Sequence, residues 1–227
     1  MTEDCITAFV QSLKPIAFQA VYSVISPKEV GRVFKLLADL RPELIIPGVV
    51  ERVYTTLESL TEPHKMTAAL QCLVSVSRAL VSGHKGYTTG KTHVIPILYA
   101  TLPGIDPNDF NKTGITLEFL TSFALLVPII DCSKASLYYD DLTEEESLIC
   151  DQTAEFEGFV LQYFDKVFML IESSAQESIR MEHTGADSIR SKLESVVEAT
   201  LQSSTHGILG QCSKVNYCFF FNFIITF

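Results

Sequence analysis

"LADLRPELIIPGVVERVY" occupies residues 37–54, and its two proline breaks decide how the fold is read. An apolar helical pattern runs into Arg41-Pro42, resumes at once, and soon meets Pro47-Gly48 before resuming again. A residue ahead of proline is pushed out of the α region, so the first break ends one helix. Proline is at home in a first helical position, so Pro42 begins the next helix. Pro47-Gly48 then kinks that helix or restarts it before "VVERVYTTLESL". Breaks this close together, inside a continuous apolar stretch, belong to short helices stacked through tight turns.

The same punctuation extends in both directions. Ser26-Pro27-Lys28-Glu29 places an N-cap serine, a proline at the first helical position and a glutamate at the third. Val30, Val33, Phe34 and Leu37 follow at helical spacing. Thr61-Glu62-Pro63 opens a helix whose apolar face holds Met66, Leu70, Leu73, Val74, Val76 and Leu80, and Gly83 closes it. "HVIPILYATL" predicts a short helix stopped by Pro103-Gly104. Asp106-Pro107-Asn108-Asp109 starts another with an N-cap aspartate, running towards Ile130. Thr143-Glu144-Glu145-Glu146 opens a long helix towards Ser173, its acidic residues gathered at the positive end of the dipole. A last helix is predicted from about Asp187 to Cys212.

Strand-like alternation is nearly absent, so the fold class is all-α. Paired, the helices give units over 27–60, 61–103 and 106–174, the last stretched by a longer loop and helix. The first two have the length of HEAT or armadillo repeats, about 40–47 residues. Each pair would expose an apolar face alone, and stacking buries it continuously. The expected architecture is an α-solenoid over residues 1–214. Residues 215–227, "VNYCFFFNFIITF", form a divergent apolar tail without helical period, outside the repeat fold. Two readings of the tail stand: residues translated from non-coding sequence, or an alternative terminus that caps the last open face.

Composition narrows the function. Of 227 residues, 47% are hydrophobic, enough for a sizeable core, and the formal net charge is −10. The 17 basic residues are scattered, whereas phosphate neutralisation needs them clustered, so a direct nucleic-acid surface is not expected. An acidic surface favours basic partners without specifying one. Met1-Thr2-Glu3-Asp4 is acidic where a signal peptide is basic. "ITLEFLTSFALLVPII" (115–130) is too short for a membrane span and is interrupted by Glu118, so no membrane partner is expected. Cys5, Cys72, Cys132, Cys150, Cys212 and Cys218 lack Cys-x-x-Cys spacing and lie mostly in apolar helical patterns. Reduced, buried thiols in a cytosolic or nuclear protein are predicted, with Cys72 and Cys150 in the core.

Several motifs resemble sites and fall short. "GYTTGKT" (86–92) has the end of a phosphate-binding loop, but the required first glycine is Lys85 and the preceding "CLVSVSRALVSG" reads as helix, not strand. A flexible loop between repeats is expected instead. Asn111-Lys112-Thr113 matches a glycosylation sequon inside a predicted helix. His64, His84, His93, His183 and His206 are dispersed, without metal-ligand spacing. Asp140-Asp141 with Glu144, Glu145 and Glu146 lacks the alternating oxygens and turn glycine of a calcium loop. No catalytic, cofactor-binding or metal-ligating residue is assigned, no cofactor is expected, and partner-binding residues are not specified.

One resemblance carries function. "LRPELIIPGVVERVYTTLESLTEPHKMTAAL", "RALVSG" and "LPGIDPNDFNKTGITLEFLTSFALLVPIIDCS" resemble the middle HEAT-repeat region of the Blm-type proteasome activator (proteasome activator complex subunit 4) family. The likeness continues through "DLTEEE", "TAEFEGFVLQYFDKVFMLIESS" and "QCSK", covering most of residues 36–214. It implies a piece of a very large solenoid that caps the core (20S) proteasome. Such a cap promotes ATP- and ubiquitin-independent degradation of peptides and acetylated proteins such as histones. It further implies a non-catalytic scaffold of nucleus and cytoplasm, linked to DNA repair and spermatogenesis, with histone contacts made by regions absent from this chain. Family members dock through a penultimate tyrosine, where this chain ends Ile225-Thr226-Phe227. The alternative is a generic helical-repeat adaptor for another protein.

Overall fold

The computed structural model describes residues 2–21, 27–58, 63–83, 87–181 and 188–212. In chain order the helices are α1 (Glu3–Ala20), α2 (Pro27–Leu40), α3 (Pro42–Glu58), α4 (Pro63–Ser82), α5 (Val94–Thr101), α6 (Phe110–Ala124), α7 (Glu144–Gln152), α8 (Phe156–Met181) and α9 (Ser188–Gln211). No strand interrupts them among the described residues.

The helices stack in two rows. One row runs α2, α4, α6, α9, each packed against the next; the other runs α1, α3, α5, α8. The chain alternates between rows as it advances, which is the all-α solenoid expected from the turn grammar. The short helix α7 stands outside both rows, as an insertion between α6 and α8. The core lies between the rows: Phe34, Ile45, Ile46, Leu70, Leu73, Leu80, Ile97, Leu117, Phe119 and Phe159 are all essentially inaccessible. Each such side chain stabilises the stack by about 1.5–3 kcal/mol relative to exposure.

Local chemistry explains the joints. Helices α2, α3 and α4 each begin on a proline, whose missing N–H would be unpaired there anyway. Arg41 alone separates α2 from α3. Helix α3 continues through Pro47-Gly48 without a break, so this pair sits within a helix and does not restart one. Gly83 closes α4 at φ +63°, a left-handed conformation that glycine adopts without a Cβ penalty.

Five expectations need correction. Residues 3–20 form a helix that the turn grammar did not single out, begun by Glu3 and Asp4 in the first turn. The helix expected from Asp106 to Ile130 spans only Phe110–Ala124, because Asp109 is the N-cap, accepting from the Lys112 N–H. Asp106 instead accepts from the Asn108 N–H within a turn, and Pro128 disfavours helix at Val127. The helix expected from Thr143 to Ser173 is two: α7 ends at Gln152, a 3-10 turn covers Thr153–Glu155, and α8 restarts at Phe156. The Thr143 cap itself is present as a reciprocal box with Glu146. The cysteines are not uniformly buried: Cys72 is, but Cys5 and Cys132 are exposed and Cys150 and Cys212 intermediate. Finally, residues 89–93 form a 3-10 helix with a buried Gly90, so this part of the loop is packed, not free. Ser26, Thr61, Glu62, Lys85, His84, His183, Cys218 and the 215–227 tail lie outside the described residues.

Candidate functional site

The 3-10 turns at Thr89–His93 and Ala135–Leu137 both pack against α7. Thr88 Oγ1 donates to Glu145 Oε2 at 2.5 Å, and Thr89 Oγ1 donates to Glu145 Oε1 at 3.2 Å. One carboxylate in the first turn of α7 therefore fastens a loop more than fifty positions earlier in the chain. The neighbouring Glu146 carboxyl is held below the ordinary carboxylate range, first by the Thr143 N–H, then by the Thr143 hydroxyl, with a smaller attraction from Lys91. On the other side, Leu137, Tyr138 and Tyr139 stand out at 76%, 79% and 62% exposure, followed by exposed Asp140 and Asp141. The insertion thus carries exposed aromatic and acidic side chains between Leu137 and Glu146.

His93 packs against the Tyr54 ring, ring nitrogen to hydroxyl 3.4 Å, and burial lowers its pKa. The buried Tyr163 hydroxyl meets Ser204 and Thr205 at 3.0 Å each, which pins α8 to α9. Burial pushes the Cys72 thiol up to about 12, leaving it an inert core group. Among the described residues no group of three or more His, Cys, Asp or Glu is placed to hold a metal ion. No described helix is long and apolar enough to cross a membrane.

The phosphate-loop likeness of "GYTTGKT" dissolves for a structural reason. It follows helix α4, and a Cβ on Gly90 would sit 2.5 Å from the Leu80 carbonyl oxygen. Gly90 is there to let the loop lie against the end of α4, not to cradle an anion.

Three structural partners escaped the sequence reading. Glu145 looked like a helix-dipole residue and is also a latch. Arg41 looked like a turn residue, yet its half-buried guanidinium donates to the Glu3 carbonyl at 2.9 Å and pairs with the Glu3 carboxylate, tying the start of α1 to the α2–α3 corner. Thr153 gave no signal at all, though its hydroxyl links two backbone segments described below.

The model of the mid HEAT repeats region of proteasome activator complex subunit 4 matches residues 1–143 and 134–227. The chain belongs to the proteasome activator complex subunit 4 family. Proteasome activator complex subunit 4 of Homo sapiens is 47% identical over 214 residues, covering 94% of this chain. Its Xenopus laevis counterpart is 46% identical over the same share, and proteasome activator complex subunit 4B of Danio rerio is 44% identical over 100% of the chain. In each case the chain spans only 12% of the relative's length. The resemblance read from the proline turns and the "LPGIDPNDFNKTG" segment is thereby borne out at family level, and so is the HEAT architecture. The two family-model matches overlap over 134–143, the segment that leads into α7.

Proposed function

We propose that this chain is a scaffold segment of a proteasome activator that caps the core (20S) proteasome. The activator promotes ATP- and ubiquitin-independent degradation of peptides and acetylated proteins such as histones, in nucleus and cytoplasm, and leaves hydrolysis to the proteasome. The observation that supports this reading is the match to the mid HEAT region of the family, carried on a continuous two-row helix stack. The mechanism is shape. Interlocked rows with a shared core resist bending, so a wall made of them holds its curvature over an entrance. The exposed Tyr138, Tyr139, Asp140 and Asp141 ahead of α7 are the part of this segment that we assign to contact with other molecules.

The test is a transplant. Residues 1–212 replace the matching segment of a full-length relative, and peptide hydrolysis by core proteasome is measured without ATP or ubiquitin. Stimulation at the relative's own level is expected, and a chimera carrying Leu73→Asp should lose it along with its fold. A correctly folded chimera that binds core proteasome no better than a control helical-repeat protein would overturn the proposal and leave the adaptor reading in its place.

A further inference from the structure

Where the segment leaving α6 passes the end of α7, one hydroxyl serves two cysteines. The Cys132 N–H donates to Thr153 Oγ1 at 2.7 Å, and the Thr153 hydroxyl donates to the Cys150 carbonyl at 2.5 Å. The backbones of both cysteines thus lie within hydrogen-bonding reach of a single buried atom. Both thiols are free. Cys132 is exposed, on a bend closed by the Ala135 N–H donating to its carbonyl at 2.9 Å, whereas Cys150 is half-buried on the last turn of α7. The Cys150 thiol is pushed up first by burial, then by the charge of an ionised Cys132, then by Asp151 and Glu146.

We infer that Cys132 and Cys150 are a peroxide-responsive pair that closes into an intrachain disulfide across the α7 insertion. Accessibility assigns the order of events. The Cys132 thiolate attacks a peroxide oxygen, the O–O bond breaks, and the departing hydroxide takes a proton to leave as water; the product is a Cys132 sulfenic acid. The Cys150 thiol, mostly protonated and shielded, is the resolving group. As it gives up its proton its sulfur attacks the sulfenic sulfur, the S–O bond breaks, and hydroxide leaves with that proton as a second water. The pair of thiols is oxidised by two electrons in total and the peroxide is reduced to water. A disulfide of this kind is transient in a reducing compartment, as sensing cysteines are. Its structural effect is to shut residues 132–150 into a ring. Leu137, Tyr138 and Tyr139, which carry the exposed aromatic face, are then held against α7 and lose freedom to adapt to a partner.

The experiment treats the full-length chain with hydrogen peroxide, alkylates remaining thiols, and maps a non-reduced digest by mass spectrometry. The expected product is a Cys132 peptide joined to a Cys150 peptide, lighter than their sum by a pair of hydrogens, with Cys72 still alkylated. In Cys150→Ser the Cys132 sulfenic acid should persist and be trapped by dimedone. Chymotryptic cleavage at Tyr138 and Tyr139 should slow roughly tenfold on oxidation, since cleavage follows the open population of a segment. Cys132→Ser should abolish that slowing. Cys132 found overoxidised, or joined to any other cysteine or to a second chain while Cys150 stays alkylated, overturns the inference. So does a cleavage rate that is the same in both redox states.

Discussion

The row of α2, α4 and α6 and the insertion over residues 125–155 are held by opposite means. In the row, Val30, Phe34, Leu37, Leu70, Leu73, Leu117 and Leu120 vanish from solvent, and polar side chains mostly bond to their own helix. In the insertion, α7 buries no residue at all, and only Ile129 and Thr153 reach the buried class. What fixes it is a set of directed hydrogen bonds: Thr143 with Glu146, Glu145 with Thr88 and Thr89, Thr153 with Cys132 and Cys150. Apolar burial is non-directional and tolerates drift, whereas a hydrogen bond specifies where each atom sits. A scaffold can rely on the first; a recognition face gains definition from the second at little cost in rigidity elsewhere.

The contrast can be broken most forcefully in the row. Leu73→Asp puts an unpaired charge at a fully inaccessible position and should remove more than about 4 kcal/mol, unfolding the stack in thermal or urea melts. Pro42→Ala, at the α2–α3 joint, should change stability by less than about 1 kcal/mol; equal effects would refute the packing described. Gly90→Ala comes next. Its Cβ would press on the Leu80 carbonyl oxygen at the end of α4, costing about 1–3 kcal/mol in a urea melt. Thr153→Val, which keeps shape but strands the Cys132 N–H, should cost about 1–2 kcal/mol, and only locally. Hydrogen exchange should quicken over 129–153 while α2, α4 and α6 are unmoved; a uniform change would mean the insertion and the row are one cooperative unit. The smallest effect is a pH dependence. Burial lowers the His93 pKa from 6.5, so the unfolded chain takes up its proton first. The contribution of His93 is fully present above pH 6.5 and declines as pH falls through that value towards its folded pKa. His93→Gln should flatten the thermal midpoint over that window.

The joints were legible because proline and glycine act within a few residues of themselves. Pro42, Pro63 and Gly83 mark ends that the structure keeps, and the Thr143 box is visible in four letters. Helix α1 carried a readable signal too, in Glu3 and Asp4 at its start and in the spacing of Val10, Ala17 and Val21, though Pro15 inside it obscures the pattern. The break between α7 and α8 carried none. Nothing between Gln152 and Phe156 is a helix breaker; at this turn Thr153 meets a residue 21 positions back. The acidic face was legible as composition and not as a place, since Glu145 finds its partners only after the rows have stacked. The exposure of Cys132 follows from the same insertion, which the apolar rhythm of its neighbours masked.

Gly48 has a mechanical meaning. A Cβ there would come within 2.8 Å of Phe18 Cζ, so the bare helix surface serves as a notch for the Phe18 ring. That ring is also gripped edge-on by Phe34, centroids 4.9 Å apart, and covered by the Arg52 guanidinium at 4.1 Å. A helix sliding along its neighbour moves by turns of about 5.4 Å, and no neighbouring turn of α3 offers a second notch between the same two clamps. Under a pull along its axis α1 therefore has no half-way stop: the joint bears load until the aromatic tooth leaves its socket, and then yields at once.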